Sequence, residues 1–213
     1  MYEFIQFIVH KQLEGAIMKK KFIRDDFEKF HDYNCLIPAR IIYFGSEWDD
    51  GDEEGGVDAM STKTIIKNLI YLDRVKQEPI TIYWNSPGGC WFRGMAIYDT
   101  IRGLRSPVTM IGFGMVRSMG TIIMQACKER FLAPNCDFMI HDGSEGNYGV
   151  PQNNEKWAAY GKYARNKMYD IYLEKIKEKK PSFNRKQLEQ KCVIDWIMTG
   201  TQAVEFGLAD KVL

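Results

Sequence analysis

Short apolar runs alternate along this chain with stretches in which apolar residues recur every three or four positions, and the alternation predicts strands and helices in turn. Ile41-Ile42-Tyr43-Phe44 predicts a short strand. From Asp58 to Val75, Ile65, Ile66, Leu69, Ile70 and Leu72 fall at helical spacing. Pro79 to Trp84 predicts a buried strand, closed by the turn Asn85-Ser86-Pro87-Gly88-Gly89. A helix follows over Gly94 to Leu104, a strand over Val108 to Phe113 and a helix over Ser118 to Cys127. Arg130 to Leu132 and Phe138 to His141 are two more strands. The polar, glycine-rich segment from Gly143 to Gly149 reads as extended and adaptable. A long charged helix runs from Glu155 to Lys179 and is stopped by Pro181. A short helix from Thr201 to Phe206, with Gly207 as its stop, and a short strand complete the chain. Strands alternating with helices imply an α/β fold with a largely parallel sheet. There are no internal repeats.

Composition narrows the class of protein. Of the 213 residues, 45% are hydrophobic and 27% charged, ordinary for a globular chain able to bury one sizeable core. The net charge of +1 argues against nucleic acid or an anionic membrane surface as partner. The five cysteines are scattered, with no C-x-x-C pair, and read as reduced thiols of a cytosolic protein and not as a disulfide frame or zinc site. No run approaches the ~20 apolar residues of a membrane span. Met1 to Ile17 is mildly apolar but lacks the layout of a secretion signal, and reads as an amphipathic arm, a removed propeptide, or upstream sequence before a true start at Met18. The acidic, glycine-rich stretch 49–56 does not follow the calcium-loop pattern and reads as a surface insertion.

Three local features carry chemistry. Ser118 sits in Gly114-Met115-Val116-Arg117-Ser118-Met119-Gly120, between a strand end and a helix start, where N–H groups and the positive dipole end favour negative charge. Such a serine is a nucleophile or simply an N-cap. The α/β-hydrolase elbow does not fit, because Val116 stands two residues before it. His141 closes an apolar strand, as a general base or as a hydrogen-bonded strand end. The Ser86-Pro87-Gly88-Gly89 turn follows a strand at the carboxyl edge of the sheet, where open α/β folds place their sites, and its glycines let backbone approach a ligand.

Taken in order, strand–Asn-Ser-Pro-Gly-Gly–helix, strand–Gly-x-x-x-Ser-Met-Gly–helix and Pro-Asn-x-x-x-Met-Ile-His resemble the proteolytic subunit of Clp protease. The stretches Gly94-Met95-Ala96-Ile97-Tyr98-Asp99-Thr100, Arg130-Phe131-Leu132-Ala133-Pro134-Asn135 and Ala203 to Asp210 extend the resemblance from about Ile41 to Leu213. It implies a crotonase-like fold of stacked βαβ units, a protease domain over residues 36–213, an N-terminal arm over 1–35, and a protruding handle over about 143–179. It implies Ser118 as nucleophile, His141 as general base and Asp195 as the carboxylate that orients it. Asp142 is the competing carboxylate, set aside because a strand neighbour of His141 points to the opposite face. The implied oxyanion donors are the N–H groups of Gly89 and Met119. An extended substrate would pair with Gly88, Gly89 and Cys90 on one side and with Gly143, Ser144 and Glu145 on the other. No metal or organic cofactor is implied. The expected partners are unfolded polypeptide, further copies of the chain in two stacked seven-membered rings, and a separate ATP-driven AAA+ unfoldase; the expected location is the cytoplasm, of a phage-infected host if the protein is viral.

The sequence departs from that family's pattern in specific places. Asp142 replaces the usual glutamine after the histidine, Ile194 the arginine before the aspartate, and Arg117 a small residue before the serine. These departures leave a non-catalytic ring subunit as the main rival, with a phage prohead-type protease and a crotonase-type acyl-coenzyme-A enzyme as further readings.

Overall fold

The computed structural model describes residues 23–45, 56–144 and 149–213. Five strands lie parallel in one sheet: β2 (Ile41–Gly45), β3 (Ile80–Ser86), β4 (Val108–Arg117), β5 (Glu129–Leu132) and β8 (Lys211–Val212), neighbours in that order. β1 (Cys35–Leu36) adds antiparallel to β2 at one edge. The predicted α/β fold with a largely parallel sheet is the fold observed. Helices α2 (Ala59–Val75), α3 (Trp91–Gly103) and α4 (Met119–Met124) make the crossovers. Because helices cover it, β3 is buried along most of its length, and Ile80, Ile82 and Trp84 are wholly inaccessible. Leu69 and Leu72 of α2 and Ile97 of α3 meet them in the core.

β4 positions the site by changing partners. Its first half pairs with β3 and β5, from Val108 to Gly112. The pattern predicts a strand ending at Phe113, but the chain bends and continues to Arg117. Gly114 takes φ +58°, and the Asn85 side-chain oxygen accepts from the Met115 N–H at 3.2 Å. At Gly112 a Cβ would lie 2.3 Å from Val116 Cγ2, so the bend closes on itself only without a side chain. The second half of β4 then pairs in parallel with β6 (Asp137–Ile140), which in turn pairs antiparallel with β7 (Trp196–Met198).

The long helix α5 runs from Pro151 to Lys179, starting one turn earlier than predicted because proline is at home in a first helical turn. Its first half is largely exposed. Its second half buries Met168, Tyr169, Tyr172, Leu173 and Ile176. α6 (Arg185–Cys192) follows, then β7, α7 (Gly200–Glu205) and β8. β5 is tied to the chain end by Arg130, which is 5% exposed and reaches Asp210, the Gln125 side chain and the Gly207 carbonyl. The helix α1 (Arg24–Tyr33), like α6 and β7, has no counterpart in the predicted elements. It falls within the segment read as an N-terminal arm; residues 1–22 of that arm lie outside the described residues, as do 49–55 of the acidic insertion. Among the described residues, no helix is long and apolar enough to cross a membrane.

Candidate active site

Strand register brings the three predicted side chains together. Arg117 pairs with Met139 across β4 and β6, so Ser118 emerges beside the end of β6, two residues from His141. Ile140 pairs with Trp196 across β6 and β7, so Asp195 emerges on the other side of His141. The Ser118 Oγ lies 2.8 Å from His141 Nε2, and Asp195 Oδ1 lies 2.9 Å from His141 Nδ1. A neutral ring carrying its proton on Nδ1 donates to Asp195 and accepts from the serine hydroxyl.

Ser118 occupies the N-cap position of α4, yet its side chain makes no capping bond. Its backbone sits at φ 49°, ψ −121°, which a residue with a side chain adopts at a cost of ~1–3 kcal/mol. Neighbouring bonds hold it there. The Ser118 N–H donates to the Met139 carbonyl at 2.8 Å. The Ser118 carbonyl accepts from the Thr121 N–H at 3.0 Å and from the Thr121 hydroxyl at 2.6 Å. That hydroxyl has its proton committed, so the buried Tyr172 hydroxyl, 2.6 Å away, donates to it.

The Pro-Gly-Gly turn lies against the serine. A Cβ on Gly88, φ +112°, would stand 2.6 Å from Ser118 Cβ. Gly89, φ +141°, pairs in parallel with the buried Val57: the Val57 N–H donates to the Gly88 carbonyl at 2.6 Å, and the Cys90 N–H to the Val57 carbonyl at 2.9 Å. With those groups spent on Val57, the Gly89 N–H projects to the other side, as alternate strand groups do. Met119, first in α4, has an N–H with no partner within the helix. Beneath it Gly94 of α3 packs so closely that a Cβ would lie 2.1 Å from Met119 Cγ.

A cleft of about 410 Å³ opens in front of Ser118 and His141, lined by Gly89, Cys90, Trp91 and Met119 from one side and by Asp142, Gly143, Ser144 and the α5 residues Gly161, Ala164, Arg165 and Met168 from the other. Of the residues expected at a substrate, Gly89, Cys90, Gly143 and Ser144 line this cleft. Gly88 lies behind, its carbonyl taken by Val57, and Glu145 lies outside the described residues. Asp142 has a different contact: its carboxylate accepts from the Tyr169 hydroxyl of α5, and its N–H donates to the Cys192 carbonyl at 2.8 Å. Burial first, and the bond to Asp142 second, push the Tyr169 phenol well above its ordinary pKa, so it stays a donor. Arg117 pairs with Asp137 at 2.5 Å on β6. Burial pushes the Cys192 thiol up to about 12, while Cys90 is half-buried in the cleft. Among the described residues, no cluster of His, Cys, Asp or Glu is arranged to hold a metal ion.

The family model of Clp protease matches residues 24–213. The ATP-dependent Clp protease proteolytic subunit of Deinococcus radiodurans is 32% identical over 184 residues, 85% of this chain and 83% of that protein. The chain belongs to the Clp protease family. It is a peptidase subunit of the Clp type. The Clp protease match begins at Arg24, the first residue of α1, a helix absent from the predicted elements. Four contributors to this site fall outside the motifs: Val57, Thr121, Tyr169 and Tyr172. Only Thr121 leaves a local signal, a hydroxyl three residues after Ser118 and so able to reach back over the first helical turn. The others act across long sequence separations.

Proposed function

We propose that this Clp-family chain is a serine endopeptidase in which Ser118 is the nucleophile, His141 the general base and Asp195 its orienting carboxylate. One observation carries the reading: His141 lies 2.8 Å from the Ser118 hydroxyl and 2.9 Å from the Asp195 carboxylate, within the reach that proton transfer requires. The Ser118 oxygen attacks the scissile carbonyl carbon as its proton passes to His141 Nε2. Negative charge then develops on the carbonyl oxygen, where the N–H groups of Gly89 and Met119 receive it; a single such donor is worth ~2.7–4 kcal/mol of barrier. The imidazolium, stabilised by Asp195, gives its proton to the leaving amine, and the peptide bond breaks to leave an acyl-serine. Water, deprotonated by His141, hydrolyses that ester.

The substrate is unfolded polypeptide, lying extended in the cleft between Gly89-Cys90-Trp91 and the segment that begins at Gly143. Main-chain pairing of this kind reads any unfolded chain with little side-chain preference. Copies of the chain stack as two seven-membered rings around a chamber, supplied by a separate AAA+ unfoldase in the cytoplasm. The test is direct. Ser118→Ala lowers hydrolysis of small fluorogenic peptides by on the order of 10⁴-fold or more, with the fold retained. A serine-reactive phosphonate labels Ser118 of the natural protein. Unchanged turnover in Ser118→Ala, or labelling elsewhere, rules the assignment out.

A further inference from the structure

Two carboxylates adjoin one histidine in this site, one across the sheet and one next in the chain, and only Asp195 bonds it. Asp195 holds His141 Nδ1 at 2.9 Å. Asp142 is the next residue in the chain and lines the same cleft as His141, yet its carboxylate is turned onto the Tyr169 hydroxyl. Tyr169 is 5% exposed and is fixed by the buried second half of α5. Its neighbour one turn on, Tyr172, is 1% exposed and holds the Thr121 hydroxyl that braces the Ser118 carbonyl. One turn of α5 therefore touches the residue after the base and the residue behind the nucleophile. Asp142 also donates its N–H to Cys192, three residues before Asp195, so its placement bears on both partners of His141.

We propose that Tyr169 is a positioning residue that decides which carboxylate orients His141. By occupying the Asp142 carboxylate, it leaves the imidazole Nδ1–H to Asp195 alone and keeps Nε2 aimed at Ser118. Without the phenol, the Asp142 carboxylate is free to draw the ring away from that line. The inference rests on the triad reading above and concerns the turnover step, since Tyr169 does not line the cleft.

The experiment is a pair of variants assayed with a fluorogenic peptide in the assembled protein. Tyr169→Phe removes one oxygen, and kcat falls about tenfold or more, the worth of one hydrogen bond to a charged group, while KM stays within about threefold. Tyr169→Phe combined with Asp142→Asn removes the competing charge and recovers about fivefold or more of the lost kcat. A kcat for Tyr169→Phe within twofold of the natural protein overturns the proposal. So does a loss that Asp142→Asn does not rescue, which would mark Tyr169 as packing alone. If Tyr169→Phe does not assemble, Asp142→Glu takes its place: the longer arm cannot sit on Tyr169 in the same way, kcat falls at constant KM, and an unchanged kcat overturns the proposal. Failure of the underlying reading looks different, because then the natural protein itself is not labelled at Ser118.

Discussion

Ser118 combines a strained backbone with a side chain committed to His141, and those two facts separate it from an ordinary helix cap. A capping serine turns its oxygen onto the helix N–H groups; this one turns away, and Thr121 supplies the local bond instead. The ordered motifs name the three side chains that the fold brings together. They do not reach the long-range neighbours that hold them, because Val57, Tyr169 and Tyr172 announce nothing locally. Asp142 illustrates the difference. Strand alternation sets it aside, but residues 141–144 follow the end of β6, and the bond to Tyr169 is what fixes its direction. Cys90 permits a prediction at this scale. Burial pushes the thiols of Cys127, Cys136 and Cys192 up to about 12, so at pH 8 they are held as unreactive thiols. Iodoacetamide applied to the folded protein modifies Cys90 first, and the added group, sitting in the cleft, blocks phosphonate labelling of Ser118. Peptide mapping by mass spectrometry checks both points; faster modification of a buried cysteine contradicts them.

The elements that periodicity predicts are those that bury a broad apolar face, and the ones it misses bury little. α1 has no buried residue, although Phe27, Phe30 and Tyr33 recur at helical spacing in a segment read only as an arm. α6 buries only Leu188 and Cys192, although the pair Asn184 and Gln187 forms a capping box that could have marked its start. β7 is three residues long with Ile197 exposed, and its role lies wholly in register, by carrying Asp195 to His141. The β4 extension was hidden by Gly112 and Gly114, which read as a break and serve instead as a bend. At this scale α2 is joined to the loop before β4 by Asp73, whose carboxylate accepts from the backbone N–H groups of Ser106 at 2.7 Å and Arg105 at 3.1 Å. These bonds hold its carboxyl below the usual range. A lowered folded pKa stabilises the fold above the unfolded value of about 3.9, and the contribution is lost as pH falls through the folded pKa. Asp73→Asn therefore lowers the unfolding free energy from urea titration at pH 7, by about 0.5 kcal/mol once solvent screening is allowed for. The gap to the natural protein narrows at pH 3; an equal gap at both pH values would show that charge plays no part.

At the scale of the whole molecule, the single chain leaves large apolar side chains bare. Val193 is 71% exposed, Ile194 74% and Ile197 64%, all beside Asp195. Trp157 is 51% exposed on the outer half of α5. Bare apolar side chains grouped around Asp195 are what contact with other chains would cover. Mass measurement at micromolar concentration is expected to give a high multiple of the 24.8 kDa chain, and a stable monomer would sink the chamber proposal. Gly45 is seated against Asn85 and Val57 against Gly89, so the stretch between them begins and ends on the same short piece of backbone. Doubling the length of a connection costs only about 0.6 kcal/mol of closure entropy. A change of length between those two seats therefore leaves the glycine turn where it is.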